Sequence, residues 1–92
     1  MYEIFIKRDC PNCPTARGLG VELAKRGKEV IFWSLDEADG LCEATWQEIQ
    51  STPTILYTAG EGDDRKEMHR WIYPLPSVEE LTDKDLFNLG NE

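Results

Sequence analysis

Cys10 and Cys13 stand three positions apart in Arg8-Asp9-Cys10-Pro11-Asn12-Cys13-Pro14, directly behind the apolar run Tyr2-Glu3-Ile4-Phe5-Ile6. Two thiols at that spacing support a reversible disulfide, a pair of metal ligands, or nothing beyond packing. A redox pair needs one thiol that ionises readily and a second close enough to attack the mixed disulfide. A C-x-x-C at a helix start supplies both: free backbone N–H groups and the helix dipole favour the thiolate of the first cysteine, at the helix N-terminal end, and the second lies one turn inward on the same side. This reading makes Cys10 the nucleophile and Cys13 the resolving thiol. Lys7 and Arg8 add positive potential beside them and Asp9 opposes it.

The metal reading has nominal ligands. Cys10, Cys13, Cys42 and His69 would make a four-ligand zinc set, but gaps of 29 residues from Cys13 to Cys42 and 27 from Cys42 to His69 match no compact finger. An iron–sulfur cluster shared between subunits, each giving Cys10, is the other carrier option. The strand–CxxC–helix context favours redox chemistry over both, so no metal ligands are assigned.

The elements that must position these thiols are readable from periodicity and breakers. Residues 2–7 form a buried strand. The helix signal begins at the cysteines, where Pro11 can sit in a first turn at no cost to its missing N–H and Pro14 is tolerable only in that same turn. Ala16, Leu19, Leu23 and Ala24 carry helical spacing, and Gly27 is a C-terminal cap. Residues 29–35 form a second strand with little polar face. The second helix spans 36–50, capped by Asp36 or Asp39, with Leu41, Cys42, Thr45, Trp46 and Ile49 on it; Ser51-Thr52-Pro53 ends it. Residues 54–58 and 67–73 form a hairpin across the turn-rich 59–64 segment. Ser77-Val78-Glu79-Glu80 reads as a capping box that opens a last helix, continued by Leu81, Leu86 and Leu89, with a second cap at Thr82-Asp83-Lys84-Asp85. The order is β-α-β-α-β-β-α, an α/β chain in a single domain over 1–92, and strand–helix–strand implies a parallel pair with a crossover.

Composition narrows the partners. The chain has 92 residues and a formal charge of −8, from 10 basic and 18 acidic side chains. That balance excludes a nucleic-acid backbone, which needs a basic patch; the basic clusters Lys7-Arg8, Lys25-Arg26-Lys28 and Arg65-Lys66 are small. No stretch reaches membrane-spanning length, and the first residues have no secretory pattern. Three cysteines do not build a disulfide framework, so the expected location is cytoplasmic and reducing, where a CxxC is metal-binding or catalytic.

The element order, Cys10-Pro11-Asn12-Cys13 at the end of the first strand, and Thr52-Pro53 before the third resemble the glutaredoxins of the thioredoxin-like superfamily, over nearly the whole chain. The resemblance implies a glutaredoxin-type fold, a four-stranded mixed sheet flanked by three helices, and a thiol–disulfide oxidoreductase that reduces protein or glutathione mixed disulfides. It implies that Pro53 is cis and faces the cysteine pair, that the Thr52 backbone pairs with the bound disulfide peptide or glutathione, and that Lys7 or Arg8 meets a glutathione carboxylate, with Pro11 and Asn12 completing the contact surface. No tightly bound cofactor is implied, and the electron donor would be glutathione or a thioredoxin-reductase-type flavoprotein. Asn12 stands where glutaredoxins usually carry an aromatic residue. The Gly-Gly turn after the fourth strand is replaced by Trp71-Ile72-Tyr73-Pro74-Leu75-Pro76-Ser77, and the Ser-Gly-Phe signature of reductase-dependent relatives is also missing. These departures favour redox activity over glutathione dependence. The other functional class is a metal-cluster or zinc carrier, or a redox-inert binding module, on the same fold.

The remaining residues have plainer readings. Cys42 reads as a small buried hydrophobe beside Trp46 and Ile49, and Trp33 and Trp46 as core. Asp36 reads as a helix cap. His69 reads as a surface or edge side chain sharing a strand face with Trp71 and Tyr73.

Overall fold

Five consecutive residues, Tyr2–Ile6, form β1, and every one of them is buried. The computed structural model describes residues 1–82, and β1 lies inside its sheet, in the order β2-β1-β3-β4. β2 (Val30–Ser34) runs parallel to β1, with Tyr2 opposite Val30 and Ile6 opposite Ser34. β3 (Thr54–Ala59) runs antiparallel to β1 on its other side, with Tyr2 opposite Tyr57 and Phe5 opposite Thr54. β4 (Lys66–Ile72) closes a hairpin with β3, through a short 3-10 turn at Gly62–Asp64 and a register shift at Tyr57/Thr58. Between the strands run α1 (Cys13–Lys25) and α2 (Ala38–Trp46), and α3 (Val78–Leu81) follows β4. The element order is the one the sequence predicts. Leu86, Leu89 and the second cap from Asp83 lie outside the described residues.

Strand alternation sorts β1 between two cores. Tyr2, Ile4 and Ile6 face α1 and α3 and pack with Ala16, Leu23, Ile55, Val78 and Leu81. Phe5 faces the α2 side with Leu56 and Ala44. Tyr2 ties the first layer together: its hydroxyl donates to the Leu81 carbonyl at 2.6 Å, and burial, helped by the Tyr57 phenol, pushes its pKa up to about 12.

On the α2 side a carboxylate is fully buried. Glu3 Oε1 accepts from Trp33 Nε1 at 3.0 Å, Gln47 Nε2 at 3.0 Å and the Arg65 guanidinium at 2.9 Å, while Oε2 accepts from the Thr58 hydroxyl at 2.7 Å. Arg65 also pairs with Glu43 on α2. A buried charge is tolerable only when paired and hydrogen-bonded, and this one recruits groups from β2, the residue capping the end of α2, β3 and the segment entering β4.

Helix ends follow local chemistry. Pro14 occupies the first turn of α1, as proline can, while Pro11 lies ahead of the helix rather than in it. At the far end Gly27 has φ +82, with its N–H on the Ala24 carbonyl and the Lys28 N–H on that of Leu23, the bonding of a Schellman cap. α2 is shorter than the 36–50 expected. Glu48 takes a left-handed conformation at φ 57 and ends it, while Arg70 donates to the Gln47 and Glu48 carbonyls at 2.7 and 3.1 Å. Neither Asp36 nor Asp39 caps α2; its N-cap is Glu37, with no side-chain bond. α3 begins where Ser77 predicts: Ser77 is its N-cap, and its Oγ accepts the Glu80 N–H at 3.4 Å.

Two further corrections concern packing. β2 is an edge strand and only partly buried, with Phe32 40% exposed, because β1 is its sole partner. α2 turns its small residues inward and its large ones outward: Gly40 and Ala44 are buried, whereas Leu41, Cys42 and Trp46 are exposed. A Cβ on Gly40 would stand 1.9 Å from the Ser34 carbonyl oxygen, so α2 crosses the end of β2 too closely for any side chain. Gly20 meets the same constraint on α1, where a Cβ would come within 2.4 Å of the Phe32 ring and 2.8 Å of Ile4. Gly40→Ala should therefore destabilise the fold by roughly 1–3 kcal/mol, the usual cost of overpacking. Gly18→Ala, where a Cβ meets nothing within 4 Å, should be neutral or stabilise by up to about 1 kcal/mol. Urea unfolding of the two variants checks the opposite signs.

Candidate active site

The chain leaves β1 at Ile6 and passes through three exposed charged residues, Lys7, Arg8 and Asp9, before the first thiol. Asp36, two residues beyond β2, holds this passage. Its Oδ2 accepts the Arg8 backbone N–H at 2.7 Å and faces the Arg8 guanidinium at 3.9 Å. Asp36 therefore braces the segment leading to Cys10.

Cys10 to Cys13 is a hydrogen-bonded reverse turn. The Cys13 N–H donates to the Cys10 carbonyl at 3.2 Å, and Asn12 sits at φ −101, ψ 0. Those angles belong to the third residue of a type I turn, whose second position favours proline, here Pro11. Asn12 is also the residue before α1, and Cys13 is its first member. The nucleophile candidate thus stands ahead of the helix and its partner begins it, instead of lying one turn inside it as the sequence suggests, because the Cys10–Cys13 reverse turn comes before the first helical residue. The two cysteines are joined in a disulfide with their Cα atoms 5.3 Å apart, inside the usual range for a bridge. Both belong to the core cluster on the α1 side of the sheet. Cys10 is 7% exposed and Cys13 2%, so the first sulfur is the one nearer solvent.

The sheet register brings the second motif to the same end. Thr54 opens β3 opposite Phe5, one residue before β1 ends, so Thr52 and Pro53 arrive where the chain departs towards Cys10. The Thr52–Pro53 peptide is cis, and Pro53 is buried. Sequence reasoning missed the brace beneath it: the Thr54 hydroxyl, buried with its residue, donates to the Ser51 carbonyl at 2.7 Å and closes the turn that contains Thr52 and Pro53. A threonine directly after the Thr-Pro step was the available signal. Ile72 of β4 pairs with Thr54, so Ile72 and Tyr73, both about half exposed, border this end as well. Tyr73–Pro74 is a second cis peptide.

The remaining sequence candidates divide between this end of the sheet and positions away from it. Lys7, Arg8 and Pro11 are exposed, and Asn12 and Thr52 half-buried. His69 pairs with Tyr57, well along the hairpin from Thr54, and its ring lies 4.4 Å from that of Trp71. Cys42 is an exposed free thiol, not the buried hydrophobe expected, and Trp46 is 72% exposed instead of core; the close packing at Gly40 turns both outward. Among the described residues no group of three His, Cys, Asp or Glu could hold a metal ion, so the Cys10, Cys13, Cys42 and His69 set is not assembled. No helix among them is long and apolar enough to cross a membrane.

No protein-family model matches the sequence, and no curated protein matches it. Solved structures do. A thioredoxin from Thermus thermophilus superposes with a TM-score of 0.68 over 97% of this chain and 72% of its own, at 21% identity. Thioredoxin 1 from Thermosipho africanus gives 0.63 over 99% of this chain and 98% of its own, at 14% identity. The fold is thioredoxin-like. At these identities the likeness is one of fold, and it extends over nearly all of this chain.

The bracing role of Asp36 can be read directly. Asp36→Ala should speed hydrogen exchange at the Arg8 amide by about tenfold, the equivalent of a lost hydrogen bond of about 1.4 kcal/mol. Asp36→Asn, which keeps an acceptor oxygen, should restore most of the protection. Equal exchange in all three proteins would remove the brace.

Proposed function

We propose that the protein is a thiol–disulfide oxidoreductase that uses Cys10 as nucleophile and Cys13 as resolving thiol. The observation that carries this reading is the Cys10–Cys13 disulfide in a reverse turn at the end of a buried strand, on a thioredoxin-like fold. In the reduced protein the Cys10 thiolate attacks one sulfur of a substrate disulfide. A Cys10–substrate bond forms, the substrate S–S bond breaks, and the other substrate sulfur leaves as a thiolate. Cys13, deprotonated in turn, attacks the Cys10 sulfur, forming the intramolecular disulfide and releasing the second substrate thiolate. Two electrons pass to substrate, and an external thiol or flavoprotein donor must return them.

Position supports the assignment of roles. Cys10 is the more exposed sulfur and Cys13 is almost fully covered, so an incoming disulfide meets Cys10 first. The cis Thr52–Pro53 segment enters at the same end of the sheet, and Thr52 offers its backbone there to an extended substrate segment. Pro11, Asn12 and Lys7 form the remaining contact surface, with Arg8 partly engaged by Asp36.

Within this activity, substrates are protein disulfides, and coupling to glutathione is weak. The basis is the chain after β4, where Tyr73-Pro74-Leu75-Pro76-Ser77 stands in place of a Gly-Gly turn able to bring backbone close to the tripeptide. A thioredoxin-reductase-type flavoprotein is the donor that fits, in a reducing, cytoplasmic compartment, and no tightly bound cofactor is required.

Turnover of a protein disulfide should fall to background in Cys10→Ser. Cys13→Ser should accumulate a Cys10–substrate mixed disulfide visible by mass spectrometry. Glutathione as sole reductant should support lower rates than a thioredoxin reductase system. Full activity in Cys10→Ser would overturn the mechanism, and equal rates with both donors would overturn the donor assignment alone.

A further inference from the structure

The outward face of α2 carries apolar side chains that the fold does not use. Leu41 is 54% exposed and Trp46 72%, with the free thiol of Cys42 between them. These residues line two adjoining hollows of about 530 and 440 Å³ that share Cys42 and Trp46. The first is completed by Thr45 and Glu48, the second by Trp33, Asp39 and Glu43. The charged side chains lining both are acidic: Asp39, Glu43 and Glu48. Exposure of a tryptophan and a leucine on one short helix face is the kind of patch that marks an interaction site. Packing explains why these residues point outward, since only Gly40 and Ala44 fit beneath α2. It gives no reason for them to be large and apolar.

We propose that this face of α2 is a docking groove for a basic protein segment that inserts an aliphatic anchor between Leu41 and Trp46 and sets lysine or arginine side chains against Asp39, Glu43 and Glu48. Charge selects this occupant. A second copy would bring an identical acidic rim and another formal charge of −8 against the first, and an anionic lipid surface would meet the same repulsion. A basic segment gains on both counts, and the exposed indole of Trp46 adds a cation–π surface for lysine or arginine. Glu43 is partly satisfied from within by Arg65, so Asp39 and Glu48, both exposed, carry most of the attraction. The groove lies on the opposite face of the sheet from the core that holds Cys10 and Cys13, so docking there is independent of the redox assignment.

Cys42 is a built-in reporter. In the oxidised full-length chain Cys10 and Cys13 are bonded, so iodoacetamide labels Cys42 alone. The probe is a synthetic amphipathic peptide of leucine and lysine at helical spacing, with a leucine–glutamate peptide of the same pattern as control. The leucine–lysine peptide should slow Cys42 alkylation about fivefold or more once it exceeds its dissociation constant several-fold. The protection should shrink as salt is added and vanish in Leu41→Ala/Trp46→Ala, whose circular dichroism should match the wild type because both positions are exposed. Equal protection by the two peptides, protection that survives the double substitution, or no protection would overturn the proposal. Protection that rises with protein concentration alone would overturn it in favour of self-association.

Discussion

The structure depends on one strand being buried on both faces and hydrogen-bonded along both edges. β1 cannot shift along its axis without moving Tyr2, Ile4 and Ile6 out of one core and Phe5 out of the other. A one-residue slip would invert every side chain. It would also tear Glu3 from four donors, Trp33 on β2, Thr58 on β3, Gln47 at the end of α2 and Arg65 ahead of β4. The end of β1 is therefore a fixed point, and Cys10 lies four residues beyond it. The cysteine turn inherits its position from this constraint, as does the start of β3 through the pairing of Phe5 with Thr54.

Around that point the local braces are small and specific. Asp36 holds the Arg8 amide on the approach, the Cys13 N–H closes the turn on Cys10, and Thr54 closes the turn containing Pro53. Each is a single hydrogen bond worth about 1 kcal/mol net. Together they limit how far the two sulfurs and the cis segment drift from one another, which matters because thiol–disulfide exchange depends on access and approach to a chosen sulfur. The asymmetry of burial between Cys10 and Cys13 then follows from where the helix begins. Cys13 is already the first residue of α1, while Cys10 stands ahead of it.

The sequence was most informative where chemistry or backbone geometry narrows the choice. Cys10-Pro11-Asn12-Cys13 announced a turn and a thiol pair, Ser77 with Glu80 announced a helix start, and the alternation of elements announced the parallel β1–β2 pair and the β3–β4 hairpin. It was least informative where two elements come close. Leu41, Cys42 and Trp46 at helical spacing look like a buried stripe, and the structure turns them out because the approach of Gly40 to Ser34 admits no side chain. Size is a poor guide to burial when backbone contact sets the distance. Asp36 was legible as a side chain near a helix start, but its partner, 28 positions away in sequence, was not. Glu3 showed no sign of burial, since a lone acid in a strand gives no hint of the Arg65, Gln47, Thr58 and Trp33 that surround it.

The order in which the three cysteines react after reduction tests the account at its centre. Short exposure of the reduced protein to iodoacetamide near neutral pH, read by peptide mass spectrometry, should label Cys10 first, ahead of the exposed Cys42, with Cys13 last. That order follows if the turn at the end of β1 activates Cys10 and shields its partner. Labelling governed by exposure alone, with Cys42 first, or labelling of Cys13 before Cys10, would contradict it.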